Sequence, residues 1–240
     1  MTAVAGGDAR REELTATLAR VESRISTACA SAGRAREDVT LIVVTKFFPA
    51  SDVHLLADLG VEHVGENRHQ EGMAKRQECA DLDLRWHFVG GLQSNKAAAV
   101  GGWVDVVHSV DRARLLPGLA RAAQERGTTL DVLVQVSLDQ EQAATGRSGV
   151  PADEAVQLAS EAAGYDGMQV RGVMGVAPLR GDAPSSFALL GRVLAAVQDR
   201  VPSATWMSAG MSGDLEQAIE AGATHVRIGS AVLGNRPTHG

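Results

Sequence analysis

Eight short, strongly apolar segments alternate with helix-forming segments along most of the chain. The first, at 41–44, consists of four consecutive branched apolar residues, as expected of a parallel strand buried on both faces. The other seven lie at 61–64, 86–89, 104–107, 130–136, 170–174, 205–207 and 225–228. Eight strand-then-helix units without a break in composition predict a (β/α)8 TIM barrel. A doubly wound open sheet is the alternative, and it is disfavoured because no G-x-G-x-x-G follows the first strand.

One extra helix precedes this alternation. Apolar residues recur at steps of three and four through 10–32, and Gly33 provides a stop. Residues 1–9 are small and polar, which predicts a disordered lead-in. The remaining residues, 10–240, are predicted to form a single barrel domain, and 240 residues is a typical length for one.

Charge and cysteine content narrow the functional classes. The net charge of −6 and the pI near 5.6 argue against a nucleic-acid partner or an anionic membrane. The two cysteines are isolated and resemble reduced thiols, and no H-E-x-x-H or EF-hand pattern indicates a metal. No signal peptide or membrane-spanning run is recognisable. We therefore expect a soluble cytoplasmic protein.

The functional site of a barrel lies at the carboxyl-terminal ends of its strands. The residues that follow or end the predicted strands are Lys46, Glu66, Asn67, His87, Ser109, Ser137, Met174, 208–212 and 227–230. Within this set, His87 stands between two aromatic residues inside a strand. It is either a packing residue on the outer face or a polar group inside the barrel.

Lys46 ends the first strand and is followed by two phenylalanines and a proline. The chain contains three lysines against twenty arginines, so a lysine at this position suggests chemistry that arginine cannot perform, such as forming an imine. Apolar surroundings favour the neutral, nucleophilic amine. A lysine that merely extends from a strand end into solvent fits this stretch equally well.

The loops after the last two strands combine glycine with serine, in M-S-A-G-M-S at 207–212 and R-I-G-S-A at 227–231. Barrels often hold a phosphate here, with backbone N–H groups and hydroxyls as donors. Turn geometry and helix capping, especially by Ser212, are the simpler explanations. A phosphate site opposite Lys46 fits a ligand with both an aldehyde and a phosphate, and pyridoxal 5′-phosphate (PLP) is the obvious candidate. Arg227 would then face its pyridine nitrogen.

Five motifs together resemble those of the pyridoxal phosphate homeostasis protein family. They are T-K-x-x-P at 45–49, G-E-N-x-x-Q-E at 65–71, W-H-F-V-G-x-L-Q-S-N-K at 86–96, M-S-x-G-M-S at 207–212 and V-R-I-G-S-A at 226–231. The resemblance runs from the first helix to the last strand. It implies a fold similar to the N-terminal barrel of alanine racemase, in the fold-type III group of PLP enzymes. The sequence departs from the family pattern at Thr45, Gly91 and Arg147, where serine, proline and lysine are expected.

The resemblance also implies roles for particular residues. Lys46 carries the Schiff base and Arg227 faces the pyridine nitrogen. The phosphate is held by Ser208, Gly229 and Ser230. The pocket is lined by Asn67 and Met211.

By the same resemblance, the protein is expected to carry and buffer PLP in vitamin B6 homeostasis, with little or no turnover, and to supply apo-enzymes. A racemase needs a second acid/base opposite the lysine, which related enzymes take from a separate C-terminal domain of a partner subunit. The sequence ends ten residues after Ser230, so neither that domain nor the dimer it supports is expected. A weak fold-type III racemase, transaminase or lyase is the alternative, and a Schiff-base aldolase or phosphosugar isomerase is a third.

Overall fold

The computed structural model describes residues 2–139, 149–178 and 181–235. Within them, eight strands form one closed barrel in the order β1 to β8, each parallel to both neighbours. The strands are Thr40–Val44 (β1), His63–Glu66 (β2), Arg85–Phe88 (β3), Val106–Val110 (β4), Leu130–Val136 (β5), Met168–Gly175 (β6), Trp206–Ser208 (β7) and His225–Ile228 (β8). The predicted (β/α)8 barrel is confirmed.

Helices surround this barrel and cover the outer faces of its strands. They are Thr2–Ser31 (α1), Ala50–Asp58 (α2), His69–Glu78 (α3), Ala97–Gly101 (α4), Leu116–Arg126 (α5), Ala155–Ala163 (α6), Ala183–Gln198 (α7), Leu215–Glu220 (α8) and Ser230–Leu233 (α9). Short 3-10 turns occur at Arg36–Asp38, Ser94–Lys96 and Ala113–Leu115. In the described ranges, no helix combines the length and the apolar composition needed to cross a bilayer.

Several element boundaries differ from the predicted ones. Helix α1 begins at Thr2, inside the segment 1–9 that was predicted to be a lead-in. Three alanines in that segment favour a helix, and the adjacent pair of glycines obscured them. Strand β2 begins at His63 rather than at position 61, because Val61 still takes part in the hydrogen-bonded turn that follows α2. Its N–H donates to the Leu56 carbonyl after the left-handed Gly60, which has a φ of 88°.

The helix cap expected at Ser212 is wrong. Asp214, not Ser212, is the N-cap residue of α8, and its carboxylate accepts a hydrogen bond from the Met211 N–H at 2.6 Å. Ser212 is therefore available for a different role in the loop after β7.

The main hydrophobic core lies between the barrel and its helices, whereas the barrel interior is unusually polar. Side chains of successive strand residues point to opposite faces. In β3, Trp86 and Phe88 therefore pack outward, each edge-to-face with Trp103, and His87 points inward and is fully buried. Of the two interpretations of His87, the barrel-interior one is thus confirmed.

Inside the barrel, a small apolar cluster comprises Val106, Leu133 and Met174, with Trp206 against it. Trp206 closes the amino-terminal end of the barrel, where the guanidinium groups of Arg85 and Arg171 lie 5.2 and 4.5 Å from its ring. Trp206 is therefore a packing residue. The opposite, carboxyl-terminal end of the barrel is open.

Candidate functional site

A cavity of about 790 Å³ opens at the carboxyl-terminal ends of the strands. Most of its lining comes from the ends of β1 and β8, the loop after β7 and the start of α9, and further residues come from the ends of β2, β3 and β6. Six of the seven predicted site residues line it, namely Lys46, Asn67, Met211, Arg227, Gly229 and Ser230. Strands β1 and β8 pair directly, with Ile42 opposite Arg227, which places the predicted tether and the predicted ring partner on neighbouring strands.

Lys46 is half-buried and follows the buried end of β1. The next residue, Phe47, has a φ of 71°, the one positive φ of a non-glycine residue among the described residues. This left-handed conformation costs a residue with a side chain about 1–3 kcal/mol, and it persists only where the surroundings hold it. Here the Phe47 N–H donates to a carboxylate oxygen of Glu71, so a side chain from α3 fixes the turn that presents Lys46.

A largely buried group of polar and charged residues, the Lys75 cluster (Thr45, Glu66, Glu71 and Lys75), supports this turn. The Lys75 ammonium donates to the Glu66 carboxylate at 2.5 Å, to the Thr45 carbonyl at 2.8 Å and to Glu71 at 3.4 Å. The Thr45 hydroxyl donates to the same Glu66 oxygen at 2.6 Å. The residues immediately before and after Lys46 are therefore both held by this cluster.

Burial raises the pKa of Glu66 above its usual value, although the charge and hydrogen bond of Lys75 act in the opposite direction. The second carboxylate oxygen of Glu66 is buried and has no hydrogen-bond partner in the described part of the chain. Lys75 is therefore the main compensation for a carboxylate that water does not reach. Sequence reasoning gave Lys75 no role. The available signal was its spacing of four residues from Glu71 on α3.

Arg227, on β8, is buried inside the barrel and reaches the cavity floor. Its Nη1 donates to the Ser208 hydroxyl at 2.7 Å and its Nη2 to the Gly175 carbonyl at 3.0 Å. Burial lowers the pKa of Arg227 to about 10, and the charge of Asp214 raises it slightly. The guanidinium thus stays protonated at neutral pH, and it forms no ion pair within the described residues.

Ser208 was predicted to hold the phosphate, but its side chain does not line the cavity. It ends β7 with its side chain turned into the barrel, is fully buried, and is absent from the cavity lining. Its hydroxyl contacts Arg227 and the Nδ1 of His108, which is 2.9 Å away. The structure therefore places Ser208 beneath Arg227, whereas Ser212, from the same loop, lines the cavity.

The phosphate-binding part of the prediction maps to the start of α9. The first N–H groups of a helix have no partner within the helix and are suited to an anion. Ser230 is exposed there and Gly229 is half-buried. A Cβ at Gly229 would lie 3.3 Å from the Val44 carbonyl oxygen, tighter than an ordinary contact. Glycine thus keeps the backbone close to β1, and these residues fit a phosphate group.

Of the other residues at the strand ends, Met174 also lines this cavity, whereas Glu66, His87 and Ser109 are buried and absent from its lining. Lys96 is exposed and lines a separate cavity of about 510 Å³ together with Arg68 and His69. No group of three or more potential metal ligands forms among the residues whose placement is described. The loop containing Arg147, at 145–148, lies outside the described residues.

Comparison of the sequence with known protein families identifies the class to which this barrel belongs. Residues 17–237 match the family model described as alanine racemase, N-terminal domain. An alanine racemase of Clostridium difficile shares the fold, with a TM-score of 0.70 at 15% identity over 95% of this chain and 57% of that one.

Closer relatives define the family within this class. Pyridoxal phosphate homeostasis proteins of Mycobacterium bovis and Escherichia coli K12 are 39% and 36% identical. The alignments cover 95% and 91% of this chain and 94% and 95% of the relatives. The chain belongs to the pyridoxal phosphate homeostasis protein family.

Solved structures agree with this assignment. PipY of Synechococcus elongatus PCC7942 without PLP superposes with a TM-score of 0.81 at 33% identity, over 92% of this chain and 100% of that one. The structure of PipY with PLP bound gives a TM-score of 0.76 at 34% identity, over 88% and 100% of the two chains.

Proposed function

We propose that this protein binds PLP as a Schiff base of Lys46 and acts in the cytoplasm as a carrier and buffer of the cofactor, with little or no turnover. The observation that carries the proposal is the cavity in which Lys46, the buried cation of Arg227 and the first turn of α9 converge. The relative PipY, which was solved with PLP bound, supports the choice of ligand. The protein works as a monomer and supplies PLP to apo-enzymes.

Each end of the cavity has a part in holding the cofactor. PLP supplies an aldehyde for a primary amine and a ring that withdraws electrons when its nitrogen is protonated. Lys46 would be the amine, and Gly229, Ser230 and Ser212 would hold the phosphate. Arg227 would face the ring nitrogen and donate a hydrogen bond to it. A guanidinium with a pKa of about 10 retains its proton at neutral pH, so the ring stays a weak electron sink.

The lining of the cavity also supports low turnover. Racemisation needs one acid/base on each face of the substrate. Among the described residues that line the cavity, Lys46 and Arg227 alone are ionisable. Tyr165, the single tyrosine of the chain, packs against the outer hydrophobic core instead. A carrier therefore fits this lining better than a racemase does.

The composition of the chain allows a direct test of the tether, because just three lysines compete for the aldehyde. After incubation with PLP and reduction with borohydride, peptide mass mapping should find the pyridoxyl group on Lys46. Lys46→Ala should lose both this adduct and the visible absorption. Principal labelling of Lys75 or Lys96, or an adduct that survives in Lys46→Ala at the wild-type level, would contradict the proposal.

The carrier role is tested by turnover. Single enantiomers of amino acids should be left unchanged by the PLP-loaded protein. Racemisation or lysis at ordinary enzyme rates of about 1–10³ s⁻¹ would favour the alternative, a fold-type III racemase or lyase. Transfer is measured as reactivation of an apo-enzyme while a phosphatase destroys unbound PLP, and sedimentation gives the oligomeric state.

The phosphate end is tested by substitutions at the start of α9. Ser230→Ala should weaken PLP binding by about 2- to 10-fold through loss of one hydrogen bond. Gly229→Ala should weaken it further, because the new Cβ would push the backbone away from Val44. Gly213→Ala is the matched control, since it lies in the same cavity but its Cβ would meet no atom within 4 Å. Equal PLP affinity in all three variants would mean that the phosphate binds elsewhere.

A further inference from the structure

A single file of polar side chains runs through the barrel from the cavity to the opposite mouth. We call Ser208, His108, His87 and His63 the histidine file. Its links are Ser208 Oγ to His108 Nδ1 at 2.9 Å, His108 Nε2 to His87 Nδ1 at 2.8 Å, and His87 Nε2 to His63 Nδ1 at 2.9 Å. The members come from β7, β4, β3 and β2. Arg227 joins the file at the cavity end through Ser208.

The other end of the file lies at the amino-terminal mouth of the barrel. His63 is half-buried there and lines a groove of about 400 Å³ between the barrel and α1. Ser208, His108 and His87 are completely buried between these two ends. The file therefore spans the polar interior of the barrel, from a solvent-accessible groove to the floor of the cofactor cavity.

Arginine fixes the direction of the hydrogen bonds in this file. A guanidinium can only donate, so the oxygen of Ser208 accepts from Arg227. The Ser208 hydroxyl then donates to His108 Nδ1, which leaves the proton of His108 on Nε2. His108 Nε2–H then donates to His87 Nδ1, and His87 Nε2–H donates to His63 Nδ1. All three imidazoles therefore carry their proton on Nε2.

The opposite direction is disfavoured by two features. It would leave the Ser208 hydroxyl proton without an acceptor among the described residues, at a fully buried position. It would also turn the N–H end of each imidazole dipole toward the Arg227 cation. In the assigned direction every dipole presents its negative end to the guanidinium, and aligned hydrogen bonds strengthen one another in a medium of low dielectric constant.

The buried imidazoles of the histidine file are also held in their neutral form. Burial, followed by the nearby charge of Arg227, holds the pKa of His108 well below its usual value. Burial, followed by His108, does the same for His87. The Arg227 guanidinium is therefore connected through Ser208 to neutral imidazoles, where many proteins would place a carboxylate. A carboxylate would neutralise the guanidinium, whereas neutral dipoles stabilise it and leave its positive charge directed at the cavity.

We propose that Ser208, His108 and His87 are positioning residues, which orient the Arg227 guanidinium toward the ring nitrogen of the cofactor and keep it fully charged. The inference rests on the proposed function, because it takes Arg227 as the partner of that nitrogen. It predicts that residues outside the cavity decide how strongly the protein distinguishes a ring with a nitrogen from one without.

The test compares the affinities for PLP and for its 1-deaza analogue, in which C–H replaces the ring nitrogen. The wild type should prefer PLP by about 10- to 150-fold, the range for a hydrogen bond to a charged group. Arg227→Leu should bind both ligands equally. Ser208→Ala and His108→Phe should reduce the preference by about 3- to 30-fold, as expected within one hydrogen-bond network.

Leu133→Ala is the matched control for simple damage to the interior. Leu133 packs inside the barrel against Val106 and Met174. Its apolar side chain takes no part in the hydrogen bonds of the file, so this substitution should weaken both ligands alike and preserve the preference. Unchanged preference in Ser208→Ala and His108→Phe would overturn the inference. If His108→Phe does not fold, Ser208→Ala decides.

Imidazole ¹⁵N chemical shifts give a second readout that needs no ligand. The Nδ1 atoms of His108, His87 and His63 should all appear as unprotonated acceptors, and a proton on Nδ1 of His108 would overturn the assigned direction. Failure of the proposed function is distinguishable, because it would appear as loss of the borohydride-trapped adduct on Lys46. Failure of this inference would leave that adduct intact.

Discussion

Replacing Lys75 by methionine should lower the free energy of unfolding by about 3–5 kcal/mol, the usual cost of removing one partner of a buried ion pair. Lys75 and Glu66 are 4% and 0% exposed, and the 2.5 Å contact between them is the closest compensation for the Glu66 carboxylate. Methionine retains most of the volume of the side chain, so the loss is electrostatic. Urea denaturation at pH 8 gives the value, provided that the m-value is unchanged.

The pH dependence of this variant should identify Glu66 as the cause. Burial raises the pKa of Glu66 in the folded protein, and Lys75 opposes the rise, so Lys75→Met raises the pKa further. A carboxyl group with a higher pKa in the folded state contributes stability below its unfolded pKa of about 4.3, and that contribution is lost as pH increases through the folded value. The free energy of unfolding of Lys75→Met should therefore increase as the pH is lowered from 8 to 5, and it should increase more steeply than that of the wild type.

Glu66→Gln in the Lys75→Met background is the control. The amide keeps the shape of the side chain and an oxygen for the Thr45 hydroxyl, but it carries no charge. The double variant should recover most of the lost stability and lose the added pH dependence. A double variant as unstable as Lys75→Met would show that packing, and not the uncompensated carboxylate, explains the effect.

Gly172→Ala should destabilise the protein by about 3 kcal/mol or more, the upper end of the cost of overpacking, and should sharply reduce the soluble yield. A Cβ at Gly172 would lie 1.8 Å from the carbonyl oxygen of Trp206 in the adjacent strand. That atom belongs to the backbone of β7, which is three residues long and cannot move away without breaking its pairing with β6. Thermal denaturation and the yield of folded protein measure the effect.

Gly191→Ala is the matched control for this substitution. Gly191 lies inside α7, and a Cβ there would meet its nearest atom at 3.7 Å, an ordinary contact. Alanine in a helix interior stabilises relative to glycine by about 0.5–1 kcal/mol. A Gly172→Ala protein with the stability of the Gly191→Ala variant would mean that β6 and β7 are not as close as the structure places them.

The strand pattern was predictable because each strand contributes a compact apolar segment that ends in polar or glycine residues. Strands β5 and β8 have the predicted bounds, and the ends of β1 and β8 bring Lys46 and Arg227 to one cavity as expected. The polar interior was harder to predict. Period-two alternation leaves open which side of a strand faces the barrel axis, and His87 therefore had two interpretations.

The residues that were missed, His108 and Lys75, escaped for different reasons. His108 contacts Ser208 across 100 positions, and no local pattern connects them. Lys75 lies on a helix so rich in charge that an inward-facing lysine looked like another solvated residue. The position of Ser208 differs from the expected one for another reason. The side chain of Ser208, the last residue of β7, turns into the barrel, whereas Ser212, from the loop that follows, lines the cavity.

The pairing of β1 with β8 makes the binding site a product of barrel closure. Lys46 follows the first strand and Arg227 lies on the last, and these two strands meet through a four-residue register from Thr40–His225 to Val43–Ile228. Contacts between the two ends of a chain form late, because the entropy of closing the intervening loop must be overcome first. A chain that lacks its final strand therefore carries Lys46, the proposed tether, without the rest of the pocket. Competence to hold the cofactor thus coincides with completion of the fold.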